Sequence, residues 1–532
     1  MYSFLIRQAN VVDGSGQPPF QADVAMEGER IAAVAPQIDE ETDRQIQAGG
    51  LVAAPGFIDI HTHTDGTIFK HPLAESKTRQ GVTLEVIGNC GIGTFPVVPE
   101  RKKILAEYLR MHDFDLPEGG LDWGDLTLYA HRLEKLGLGV NLAPLVSHGA
   151  LRIAVMGAEN RDPSPDELRQ MEKLLAEALR QGAWGMSTGL IYPPGSFAKT
   201  EELVALARVV ARFGALYTSH IRGESRTLMP ALEEAIRIGK ESGARVEVSH
   251  LKAMGRDNWG LGQEVLKKLE LARRAGVDIA ADQYPYEASS TSLSALVPQW
   301  AHAGGVAALL ERLSSPELRS KLREGIIQEM NTRGGPERIM VTSTFSDRNI
   351  SLSGKSLAQI AESWGAPAEE AVIRLLLEEE AAVGAIFFSM SEKDVTTILA
   401  SDQVSVGSDG RGQNAVEDCG EATHPRSYGT FARILGRYVR ERKVLSLAAA
   451  VRKMTGLPAR RLGFTDRGLL QPGFAADLVL FDPSAIEDLA SFLHPHEYAR
   501  GIVHVWVNGR PLIQDGQFTG ERPGRVLRKK NP

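Results

Sequence analysis

The chain has 532 residues and a formal net charge of -7, and its 43% hydrophobic and 24% charged residues are ordinary for a soluble globular protein. The mild acidity gives no reason to expect nucleic acid as a partner, and no apolar run approaches the roughly 18 residues of a membrane-spanning helix. Two cysteines, Cys90 and Cys419, exclude a disulfide framework; with no basic n-region at the start, a cytoplasmic protein with a free thiol is expected.

The first segment alternates short apolar stretches with turns at 4–6, 11–12, 23–26 and 31–34, which are hairpin-sized strands. Similar pieces return at 476–481, 503–507 and 510–513, the last two joined by Asn508-Gly509, a strong hairpin signal. Neither end alone suffices for a sound sheet. Residues 1–54 and 467–532 are therefore expected to combine into one small β-sandwich domain beside a catalytic region at 55–466.

That middle region alternates strands with helices, the pattern of parallel α/β architecture. Candidate strands are 57–60, 83–87, 140–146, 185–188, 216–219, 245–249, 278–281 and 404–406, with helical runs at 166–180, 200–212, 230–242 and 263–275. Eight strands fit a closed (β/α)8 TIM-like barrel; an open doubly wound sheet is the alternative. His61, His63, Cys90, His148, His220, His250, Asp282 and Asp409 all fall just after a predicted strand, where barrel enzymes carry their chemistry. The run Gly88-x-x-Gly91-x-Gly93 lacks dinucleotide-binding spacing. An insertion at 289–397, with helical runs at 305–313, 315–331 and 368–381, reads as a folded lid-like subdomain or a peripheral elaboration. The basic tail 525–530 reads as a solvated end.

In Phe57-Ile58-Asp59-Ile60-His61-Thr62-His63, residues two apart on a strand share a face, so two imidazoles project together. Val86-Ile87-Gly88-Asn89-Cys90 adds a thiol, Ser219-His220 and Ser249-His250 two more imidazoles, and Gly407-Ser408-Asp409 a carboxylate. Thiolate, imidazole and carboxylate together suit Zn(II).

The whole chain resembles the amidohydrolase superfamily, and within it the D-aminoacylases (N-acyl-D-amino-acid deacylases). The His-x-His and the tail Gly473-Phe474-Ala475-Ala476-Asp477 carry the superfamily likeness. Gly88-Asn89-Cys90-Gly91, Gly189-Leu190-Ile191-Tyr192-Pro193-Pro194-Gly195, Ser249-His250-Leu251-Lys252, Tyr284-Pro285-Tyr286, and Ser408-Asp409-Gly410 with His424-Pro425-Arg426 are more specific. Many superfamily members bridge two metals with a carboxylated lysine; this chain resembles the branch in which cysteine is the ligand instead. The resemblance implies a tight zinc on Cys90, His220 and His250, and a second, weaker site on His61, His63 and Asp409. Cys419 has no counterpart in that scheme and reads as structural or incidental.

Amide hydrolysis needs a strong nucleophile, a polarised carbonyl and a proton for the leaving nitrogen, and zinc with a base supplies these. Asp409 is the expected general base, a pure ligand role being the alternative. Arg426 offers a bidentate fork for a substrate carboxylate, and the resemblance adds Tyr284 and Ser290 to that task and Tyr192 near the scissile carbonyl or carboxylate. Either tyrosine also fits simple core packing. Lys252 would meet an acidic substrate side chain or balance the charge of the metal site, and Arg222 reads as a structural ion-pair partner. The expected reaction is hydrolysis of a small N-acyl-D-amino acid to a carboxylate and a free D-amino acid. Cyclic-amide hydrolysis, a dipeptidase activity and a non-catalytic scaffold are the alternatives. No sequence feature specifies a membrane partner or an oligomeric state.

Overall fold

The computed structural model describes residues 2–42, 44–344, 346–418 and 422–530; Cys419 lies outside the described residues. Eight parallel strands follow one another in sequence and in space: β1 (Phe57–Asp59), β2 (Val82–Ile87), β3 (Asn141–Ser147), β4 (Gly185–Gly189), β5 (Leu216–His220), β6 (Arg245–Val248), β7 (Ile279–Gln283) and β8 (Val404–Val406). Alternate residues enter different clusters: Leu84, Val86, Ala143 and Leu145 join one, Ile87, Leu142 and Val146 the other. This is the two-sided burial of a strand covered on both faces. Helices between the strands carry local start signals. Pro165–Arg180, for instance, begins with a capping box between Ser164 and Glu167, has Pro165 in its first turn, and buries Met171, Leu175 and Leu179.

The seam between β8 and β1 closes just beyond the strand ends. Asp409 N donates to His61 O at 2.7 Å and His63 N to Gly410 O at 2.9 Å. Barrel closure thus fixes two candidate histidines relative to the candidate acid.

Both chain ends meet in one nine-stranded sheet, in which Leu478–Phe481 lies antiparallel to Val52–Pro55. Phe4 packs edge-on against Trp506, joining the first strand of the chain to one of its last. The basic tail departs from expectation. Leu527 N donates to Leu142 O at 2.8 Å, Lys529 N to Gly182 O at 2.8 Å and Trp184 Nε1 to Leu527 O at 2.7 Å, so the segment is pinned along the barrel rather than solvated. Its basic composition hid this, because the pinning runs through backbone groups.

Between β7 and β8 lie the helices Val306–Ser314, Arg319–Thr332, Leu357–Trp364 and Ala368–Glu378. They accompany a three-stranded antiparallel sheet, Ser289–Ser292, Val383–Phe387 and Ile339–Thr344, which the helical periodicity did not foretell. Among the described residues no helix is long and apolar enough to cross a membrane.

Candidate metal centre

Two groups of donor atoms converge at the C-terminal ends of the strands: His61, His63, Cys90 and Asp409, and Cys90, His220 and His250. They share Cys90, and within each group the donor atoms lie within 4.8 Å of one another. Cys90 Sγ stands 3.2 Å from His61 Nε2 and 3.3 Å from His250 Nε2. Asp409 Oδ1 stands 3.1 Å from His63 Nε2 and 3.4 Å from His61 Nε2. Both ring nitrogens of His220 are buried without a hydrogen-bond partner among the described residues. A thiol, four imidazoles and a carboxylate turned on one another, two imidazole nitrogens among them unpartnered, suit a zinc ion by the chemistry of the donor set.

The backbone is bent to achieve this. Cys90, His250 and Asp409 have φ of 54°, 36° and 52°. Left-handed conformations are uncommon outside glycine, and concentrating three in one donor set is the kind of local cost that function retains. Gly189 makes room for the cysteine loop: a Cβ there would fall 1.9 Å from the Cys90 carbonyl oxygen.

A second ring of acids holds the histidines. Asp282 lies 3.2 Å from His61 Nδ1 and accepts a hydrogen bond from His250 N at 2.8 Å. Glu224 Oε1 lies 3.1 Å from His250 Nδ1 and also binds Lys252 Nζ. Burial alone would raise the Cys90 thiol, but His61 and His250 outweigh it and hold it well below its usual range. The same contest holds the buried Asp409 carboxyl well below the usual carboxylate range, with Arg426 the largest opposing influence.

The residues assigned to substrate line one cavity of about 290 Å³ beside the donors, with Tyr192, Lys252, Tyr284, Ser290 and Arg426 in its wall. Arg426 Nη1 donates to Asp409 Oδ2 at 2.6 Å, Nη2 donates to Ser290 O at 3.1 Å, and the guanidinium lies 5.0 Å over the Tyr284 ring. Ser290 thus meets Arg426 through its carbonyl. His424 Nδ1 accepts from Arg426 N and its Nε2 faces Ala288 O, which orients the start of the helix Arg426–Arg433. Tyr192 OH is 2.9 Å from Thr291 Oγ1. Tyr284 OH is buried without a partner among the described residues. Burial holds both phenols well above their usual range, so each remains an O–H donor.

Other candidates are engaged elsewhere. His148 pairs with Glu202 at 2.8 Å, away from the donor groups. Arg222 forms a two-pronged pair with Glu234, the structural role expected of it. Glu224 carried no role in the sequence reading, although an acid four residues after a candidate ligand is a usable signal. His112, forced neutral by burial and by His63 to about 3, lies edge-on against Tyr192. It belongs to a loop with no motif.

The barrel and its donor set define a metal-dependent hydrolase of the kind built on (β/α)8 scaffolds. The chain belongs to the amidohydrolase family, whose profile matches residues 44–513. It is 40% identical to an N-acyl-D-glutamate deacylase of Alcaligenes xylosoxydans xylosoxydans over 98% of this chain and 95% of that one. It is 37% identical to a D-aminoacylase of the same organism over 99% and 97%. Among solved structures, N-acyl-D-glutamate deacylase from Bordetella bronchiseptica, complexed with zinc and a phosphonate mimic of the tetrahedral intermediate, superposes with a TM-score of 0.83. That pair is 36% identical over 99% of each chain.

Proposed function

We propose that this chain hydrolyses the amide bond of N-acyl-D-amino acids in the cytoplasm, with zinc on Cys90, His220 and His250 and a second, weaker site on His61, His63 and Asp409. The observation that carries the reading is the placement of Arg426 and Asp409 in one wall beside a cysteine-containing donor set. A guanidinium there suits a linear substrate with a free carboxylate. The D preference follows from what the relatives act on. The two-cysteine composition, with one buried free thiol, suits a reducing compartment.

Bound zinc would act as a Lewis acid and bring the pKa of a water down to roughly 7. Asp409 turns Oδ1 toward the histidines and Oδ2 toward Arg426. It is placed to take the water proton and deliver it to the departing nitrogen. Arg426 and Tyr284, with Ser290 beside them, receive the substrate carboxylate, and Lys252 meets an acidic substrate side chain or balances the charge of the metal site. Tyr192 OH, three residues beyond the end of β4, offers a donor to the carbonyl undergoing attack.

Amine release by zinc-loaded protein from matched N-acetyl-D- and N-acetyl-L-amino acids, with neutral and acidic side chains, tests this. Turnover of a D substrate with little of its L partner is expected. No turnover of either isomer at full zinc occupancy sinks the reading.

A further inference from the structure

Glu224 is a buried acid in the loop after β5, four residues beyond His220. Its Oε1 lies 3.1 Å from His250 Nδ1, and its Oε2 lies 3.6 Å from His220 Nε2. The same carboxylate binds Lys252 Nζ, and its backbone carbonyl accepts from Met254 N at 2.7 Å, tying the loop after β5 to the loop after β6. One side chain thus touches two histidines of one donor group and the lysine in the cavity wall.

We propose that Glu224 is the positioning residue that sets the affinity of the Cys90, His220 and His250 site for its metal. The inference rests on the metal-dependent reading above and does not depend on which substrate is cleaved. His250 turns Nε2 toward Cys90 Sγ, 3.3 Å away, so Nε2 is its ligating atom and Nδ1 carries the ring hydrogen. Two groups lie against Nδ1: Lys252 Nζ at 2.7 Å, within hydrogen-bonding geometry, and Glu224 Oε1 at 3.1 Å, an ion-pair contact. An ammonium has no lone pair to accept with, so once Nε2 ligates a metal only the Glu224 carboxylate can take up the Nδ1 hydrogen, and Lys252 shares the same carboxylate. His220 stands too far from Oε2 for a hydrogen bond; there the carboxylate acts through its charge.

An outer acid of this kind fixes tautomer and ring orientation and makes the ligating nitrogen a better donor; losing one typically weakens metal binding by roughly 10–100-fold. The other donor group is held less completely. His61 has Asp282, but His63 Nδ1 is buried with no partner among the described residues. Lys252 Nζ gives the same buried carboxylate a counter-charge.

The test is a competition titration of the apoprotein with zinc against a chromophoric chelator, with no substrate present, alongside the visible spectrum of the cobalt(II)-loaded protein. Glu224→Gln should weaken the tightest site by roughly tenfold or more. At saturating cobalt(II) it should keep the thiolate charge-transfer band, because Cys90 still ligates. Because Glu224→Gln leaves Lys252 buried and unpaired, the double variant Glu224→Gln/Lys252→Met provides a second measurement with the pair removed together. It should show the same loss of affinity as the single glutamine variant. Parent-like affinity in either glutamine-containing variant overturns the proposal. A failure of the deacylase reading would show in turnover and leave this titration untouched.

Discussion

Arg426 Nη1 stands 2.6 Å from Asp409 Oδ2, so the guanidinium placed for a substrate carboxylate also clamps the acid placed for proton transfer. With Nη2 on Ser290 O, N–H groups remain for a second carboxylate. Arg426→Lys keeps the charge and loses the fork. Charge-assisted hydrogen bonds are worth about 1.5–3 kcal/mol, so kcat/KM for an N-acyl-D-amino acid should fall roughly ten- to hundredfold. Steady-state kinetics against the corresponding amide, which has no carboxylate, should show a much smaller effect. An equal loss on both substrates would mean that Arg426 serves Asp409 alone.

Asp409 belongs to only one of the two donor groups. Asp409→Asn should therefore retain the metal of the Cys90, His220 and His250 group while kcat drops by roughly 10²–10⁴ through loss of proton transfer. Metal analysis and rate are measured on the same sample. Undiminished turnover would reduce Asp409 to a ligand.

Most of the barrel and its donors were legible in the sequence because both depend on local pattern. Ile58 and Ile60 alternate before His61, and the barrel places each strand end on one rim, so six donors scattered over the chain become one site. Less legible were residues whose roles arise from contacts between loops. Glu224 matters because the loop after β5 reaches His250 and Lys252 on β6's loop. The sheet at 289–387 was invisible because Ser289-Ser290-Thr291-Ser292 has no apolar alternation; hydrogen bonding to Val383–Phe387 makes it a strand. The tail was misjudged for the converse reason: its charged side chains say nothing of where its backbone bonds go.

Tyr284 OH is buried without a partner among the described residues, yet its ring faces Arg426 at 5.0 Å and Lys252 at 5.7 Å. A buried donor left unmade costs about 1–3 kcal/mol. Tyr284→Phe keeps the ring and removes that cost, so stability in urea should be equal or higher while KM rises. Lower stability with unchanged KM would mean that the hydroxyl serves the fold.

Lys77 and Asp59 form a fully buried ion pair at 3.0 Å, and Asp59 Oδ1 accepts from Ser408 N at 2.8 Å, immediately before Asp409. Lys77 Nζ also binds Ser408 Oγ. Lys77→Met strands a buried carboxylate and should cost about 3–5 kcal/mol in denaturant unfolding. Lys77→Met/Asp59→Asn should recover part of that loss. A double variant no better than the single would show that the loss lies in packing rather than charge.

His302 gives a pH signature free of the metal ligands. Burial pushes its imidazole down from 6.5 to about 4. Between those values the unfolded chain binds a proton that the folded protein refuses, so this group's contribution is lost as pH falls. Between pH 7 and pH 5 the loss should be roughly 2 kcal/mol. Two buried carboxylates work the opposite way. Burial raises Glu85 and Glu247 to about 7, so the folded protein holds protons that the unfolded chain releases, and their share favours folding on acidification. The parent's stability curve is therefore a sum of opposed slopes, and only a difference isolates the histidine. Subtracting the urea stability of His302→Gln from that of the parent at each pH cancels the carboxylate terms, since they are common to both. The difference should move against the parent by that amount on going from pH 7 to pH 5. A difference independent of pH would mean that His302 takes up its proton in the folded protein as readily as in the unfolded chain.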